Sequence, residues 1–180
     1  MNTARKLAFW LLLASAPLAL SAQVGGGGED AAAYARAVGE HFRVPPEEVA
    51  VLSEWGLAIE EIPVVLFLAR RGGMSADALA TLKRGGQSWF QLAQRSGLDA
   101  GSFLVPLPES AGGGPLASAY VRFREAGGGG RGLALDDGEV VGLVNLRFLS
   151  DFTHVPPTRV LDAVAGSGSW VMAYRTLVSR

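Results

Sequence analysis

Two histidines, seventeen carboxylates and no cysteine bound the chemistry open to this 180-residue chain. Without cysteine there is no disulfide framework, no thiolate metal site, no cysteine nucleophile and no acylated cysteine anchor. His41 and His154 each stand just before a Val-Pro-Pro, which invites a paired site. In the local pattern, however, His41 aligns with Phe152 and His154 with Arg43. Neither has a second histidine at ligand spacing, so each reads as a partly exposed helix-end residue rather than a metal ligand or catalyst. Glu47-Glu48 and Glu60-Glu61 resemble acid–base pairs on paper. Adjacent side chains on a helix diverge by about 100° and do not converge on one substrate atom, so these read as helix-terminal or solvated carboxylates. A glycosidase requires two carboxylates facing each other across a cleft. Glu54 with Asp99 is one such pair that the sequence leaves open, and nothing points to it.

The glycine-rich segments carry no better signal. Residues 127–132 read G-G-G-G-R-G, without the Lys-Ser/Thr of a phosphate loop. Gly166-Ser167-Gly168-Ser169 lacks the G-x-S-x-G nucleophile elbow, and no histidine follows it. Residues 75–98 have the size of a DNA-binding helix–turn–helix with Lys83, Arg84 and Arg95, but the overall charge of -1 gives no field for nucleic acid. No catalytic residue, metal or cofactor is therefore expected. Trp89 and Trp170 read as core aromatics first. Their functional alternative is an aromatic groove for a peptide or glycan.

These side chains must be placed by elements that the sequence announces in turn. Arg5 and Lys6 precede an apolar run from Leu7 to Leu20, and Ser21-Ala22 follow. This is the layout of a secretory signal peptide over 1–22, cleaved near Ala22. Its apolar run of about 14 residues is shorter than the roughly 20 of a spanning helix. Removal of Arg5 and Lys6 takes the formal charge from -1 to -3. The expected product is a mildly acidic periplasmic or secreted protein with no membrane span. With 49% hydrophobic residues it can be held by an apolar core alone.

The mature chain divides at its glycines. A spacer covers 23–28, a helical block 29–100, a Gly/Pro-rich linker segment 101–133, and a second helical block 134–180. Val44-Pro45-Pro46-Glu47-Glu48-Val49 returns as Val155-Pro156-Pro157-Thr158-Arg159-Val160. Gln87-Ser88-Trp89 returns as Gly168-Ser169-Trp170. Together these imply a helix–turn–helix unit present about three times. Pro46 suits a first helical position, and Ser75, Ser88 and Ser169 suit N-caps. Leader helices are expected over 31–42 and 136–152. The fold class is all-α, two halves joined by the Gly/Pro-rich segment. Tyr120-Val121-Arg122-Phe123-Arg124 alternates apolar and basic residues, and the segment around it reads as irregular.

The stretch from Asp136 to Ser150, running on into Val155-Pro156-Pro157, resembles a loosely defined group of exported bacterial helical proteins. They share a leader helix of the form L-V-N-x-R-F-L-S, then V-P-P-x-x-V, then a small-residue turn before an aromatic. The likeness extends more loosely over Phe42 to Leu98, and the Gly127–Gly130 run departs from it. The group has no assigned activity, so the resemblance implies no catalytic residue. It makes Asn145 and Arg147 candidates for a structural polar pair or an interaction surface. With Trp89 and Trp170, they are the residues on which an interaction surface is expected.

The sequence thus favours an exported, non-catalytic helical protein that acts by protein or envelope contacts, with no nucleic-acid partner. An envelope hydrolase of peptidoglycan type, using a carboxylate pair, is one alternative. A periplasmic small-ligand binder or sensor with an apolar pocket between repeats is the other.

Overall fold

The computed structural model describes residues 26–179. The signal peptide expected over 1–22 and the first part of the spacer lie outside the described residues. Within them the chain is all-α, with nine α-helices, three short 3₁₀ turns and no strand. The helices are α1 (Gly26–Phe42), α2 (Pro46–Glu54), α3 (Ile62–Gly72), α4 (Ala76–Arg84), α5 (Trp89–Arg95), α6 (Ala117–Glu125), α7 (Asp137–Thr153), α8 (Pro157–Ser167) and α9 (Trp170–Val178).

Local chemistry sets their ends. Pro46 and Pro157 open α2 and α8, each after a proline held in the extended region. The side chains of Ser75, Ser88 and Ser169 accept hydrogen bonds from the backbone N–H of Ala78, Gln91 and Met172. Asp136 and Glu139 form a capping box at the start of α7. At the ends of α3 and α8, Gly73 and Gly168 adopt left-handed φ values of 70° and 74°.

Two helical trios organise the molecule. α1 and α7 each run for 17 residues. Each stops at a non-glycine residue in left-handed conformation, Arg43 (φ 49°) and His154 (φ 56°). Beyond Pro46 and Pro157 the trios diverge. α2 has 9 residues against 11 in α8, and α3 has 11 against 9 in α9. The trios also exchange partners: α1 packs on α9, α3 packs on α7, and α1 crosses α7. One continuous apolar core results, running from Tyr34 and Val38 through Val64–Leu68 to Leu143, Phe148 and Trp170. The two helical blocks therefore share a core rather than standing apart.

Two expectations need correction. Gly26–Gly28 belong to α1, not to a flexible spacer. Helical glycine costs about 1 kcal/mol relative to alanine. The helix they begin docks on α9, where Asp30 pairs with Arg175 at 3.0 Å. Residues 101–133 are likewise no linker. Tyr120–Arg124 lie in α6, and Phe103, Val105, Leu116, Ala119, Tyr120 and Phe123 are buried. Leu116, Ala119, Tyr120 and Phe123 fall at i, i+3, i+4 and i+7, one apolar face of a helix. The glycines here allow close backbone approach. A Cβ on Gly130, itself at φ 69°, would stand 2.6 Å from the Gly101 nitrogen and 2.8 Å from the Phe123 ring.

Candidate functional site

The four residues expected on an interaction surface are dispersed, and most are interior. Asn145 is fully buried where α1 crosses α7. Its Oδ1 accepts the Tyr34 hydroxyl, and its Nδ2 donates to the carbonyls of Glu60 and Val141, each at 2.8 Å. An amide in a dry core must spend its donors this way, and full burial bars a partner from the oxygen. Burial, and secondarily the charge of Glu60, raises the Tyr34 phenol well above its ordinary pKa and keeps it a donor.

Glu60 belongs to the first trio but serves the last. Its Oε1 accepts the backbone N–H of Trp170 at 2.8 Å and that of Val171 at 3.3 Å, and the Ser169 hydroxyl at 3.1 Å. A carboxylate at a helix N-terminus meets unpaired N–H groups and the positive end of the dipole. Trp170 is thereby held in the core. Trp89 is fully buried elsewhere. Its indole N–H donates to Glu61 Oε1 at 2.9 Å and its backbone N–H to Asp137 Oδ1 at 2.6 Å. The Lys83 ammonium, paired with Asp137, lies 5.0 Å from the indole centroid. Both tryptophans are packing residues, and neither lines a peptide or glycan groove. Arg147 is half-buried and donates from Nη2 to the carbonyls of Leu104 (2.9 Å) and Ser102 (3.3 Å), pinning the chain before α6.

His41 is half-buried, and His154 sits at the C-terminal cap of α7. Among the described residues no group of three or more His, Cys, Asp or Glu side chains could hold a metal. Glu47, Glu48 and Glu54 are exposed.

The surface feature that stands out is one the sequence reading did not single out. α1 and α2 enclose an open groove of about 550 Å³. Its floor is small and apolar, made by Ala32, Ala35, Gly39, Val49 and Ala50, and its rim carries Arg36, Glu40 and Arg43. A Cβ on Gly39 would stand 3.3 Å from the Val44 carbonyl, so glycine sets how closely the chain before α2 approaches α1.

The other trio has the matching groove between α7 and α8, and there it is filled. The 3₁₀ turn Gly114–Leu116 packs on α8 and α7. A Cβ on Gly142 would stand 2.5 Å from Leu116 Cδ2, so the absence of one makes room for that leucine. Gly114 lies against Leu161. The residues 111 positions on from Ala32, Ala35, Ala50 and Ser53 are Leu143, Leu146, Leu161 and Val164. All four of the latter are buried. Ala32, Ala50 and Ser53 are exposed, and Ala35 is half-buried. The alanine and glycine stripe on α1 was the readable signal for the open groove.

Comparison with protein-family models, with curated proteins and with solved structures finds no match.

Proposed function

We propose that this is an exported, non-catalytic helical protein that acts by contact with a partner protein of the cell envelope, which it grips in the α1–α2 groove. The observation that carries this reading is the filled groove of the other trio, which supplies a template for the occupant. There a glycine–proline turn inserts one leucine between two helices. The open groove has the same helical frame with smaller side chains, and so has room for a leucine-bearing turn. Arg36 and Arg43 outnumber Glu40 on the rim and add a preference for an occupant with a carboxylate beside that leucine. Both are exposed, and among the described residues neither joins an ion pair. Export is supported by the basic, apolar and small-residue layout of 1–22.

The test uses a synthetic peptide copying residues 109–120, which contains Glu109 and the Gly-Pro-Leu turn. Added to the purified protein, it should give saturable amide shifts centred on Ala32, Ala35 and Ala50. Ala50→Glu, an exposed substitution that occupies the floor, should abolish them while leaving the melting temperature nearly unchanged. A peptide that shifts nothing in the groove, or binds Ala50→Glu equally well, would overturn the reading. Concentration-dependent dimerisation through the same groove would replace the partner protein by a second copy.

A further inference from the structure

We propose that a second site, the cleft between α1, α3 and α7, binds a small oxyanion, a carboxylate or a phosphate, through Arg70, Arg71 and Arg147. This inference does not depend on the α1–α2 groove. The cleft has a volume of about 210 Å³, room for a carboxylate or phosphate with a short substituent. Besides the three arginines it is lined by His41, Asp151 and the rings of Phe42, Phe67 and Phe148.

Its charges are unbalanced. Three guanidinium groups face one carboxylate, and among the described residues Asp151 forms no ion pair with any of them. Arg71 and Arg147 crowd the same ring, with guanidinium carbons 5.3 Å and 5.7 Å from the Phe67 centroid. Arg70 lies 5.3 Å from the Phe42 centroid and donates to the Phe42 carbonyl. Aromatic faces fix the planes of the guanidinium groups but leave their edges free to donate. The crowding has an electrostatic trace. Burial, and then the charge of Arg71, pulls the Arg147 pKa below its ordinary value, while Asp151 pulls the other way.

One donor is conspicuous. Arg147 spends Nη2 on the carbonyls of Ser102 and Leu104, yet its buried Nε–H has no hydrogen-bond partner. A buried donor left unpaired is unfavourable. An oxyanion held in the cleft by the exposed guanidinium groups of Arg70 and Arg71 would relieve the repulsion of like charges, with Arg147 beside it as the buried third charge. The planar fork of arginine suits carboxylate and phosphate oxygens alike. The aromatic floor favours an oxyanion carried on an apolar group.

The experiment titrates the purified protein with inorganic phosphate, acetate and N-acetyl-leucine, each against sodium chloride at matched ionic strength. Chemical shifts of the Arg147 Nε–H and of His41 are followed. At least one oxyanion should give a saturable shift of the Arg147 Nε–H that chloride does not give. An occupied cleft should also raise the His41 pKa, which burial lowers, Asp151 pushes up and Arg70 pushes down. Arg71→Gln removes an exposed side chain, should keep the fold, and should weaken binding about tenfold. Arg70→Gln serves as the second variant if Arg71→Gln fails to fold. Shifts no larger than those of chloride, or full affinity in a folded Arg71→Gln protein, would overturn the proposal. Tighter binding of N-acetyl-leucine than of acetate would assign the aromatic floor to the ligand's apolar part.

Discussion

The α1–α2 and α7–α8 grooves share a frame and differ in cover. In the last trio the chain supplies its own lid, Gly114–Leu116, and the walls beneath it are leucine and valine. In the first trio nothing among the described residues fills the groove, and at the positions matching those leucines and that valine its walls carry alanine and serine. The physics of the difference is plain. A wall that meets water gains nothing from a large apolar side chain, whereas a wall that meets Leu116 gains about 25 cal/mol for each square ångström removed from water. Residue size along these helices thus records which face is covered.

One pair of variants would break or sharpen that contrast, and three further measurements test the contacts that join the two trios. The largest effect is expected from Leu116→Ala, which empties the filled groove and should cost about 3 kcal/mol in urea unfolding. Ala50→Ser in the open groove should change stability by no more than about 0.5 kcal/mol. Equal losses at the two sites would dissolve the distinction between them. Asn145→Ala should come next, at about 2 kcal/mol, because it strands both the Tyr34 hydroxyl and the Glu60 carbonyl. Tyr34→Phe strands only the amide oxygen and should cost about 1 kcal/mol. The reverse order would mean that the crossing is held from the α1 side.

Glu60→Gln should lower stability by about 1 kcal/mol. Amide exchange should accelerate at Trp170 and Val171 while α1 stays protected, since the carboxylate caps only α9. The smallest effect is expected from pH. Burial is the main cause that lowers the His41 pKa below 6.5. The folded state therefore binds the proton less readily than the unfolded chain does. The resulting stability is complete above the unfolded pKa and is lost as pH falls through the folded one. A folded protein that gains stability on acidification through this range, with His41→Gln abolishing the gain, would reverse the sign.

Much of the helical framework was legible because its signals are local. Pro46, Pro157, Ser75, Ser88, Ser169 and Asp136 each act within one turn of their own position. The apolar face of Leu116, Ala119, Tyr120 and Phe123 was equally present in the sequence. It was hidden by the glycine runs on either side, which read as linker when each glycine is weighed alone. Gly101 and Gly130 show why that weighing fails: they are small because two backbones meet there. The sites were less accessible. Trp89, Trp170 and Asn145 carry the residue types of a binding surface, and burial turned all three inward. No local pattern announces that Glu60 caps a helix 110 residues away, or that Arg71 and Arg147 share a ring. Such pairings are fixed only when α3 docks on α7 and α1 on α9.

That exchange of partners has a consequence for the order of assembly. The ribosome releases α1 long before α9, so the wall against which α1 closes does not yet exist when α1 emerges. Native contacts between α1 and α9 raise contact order and slow folding. The nascent chain must leave this face of α1 open until α9 is made.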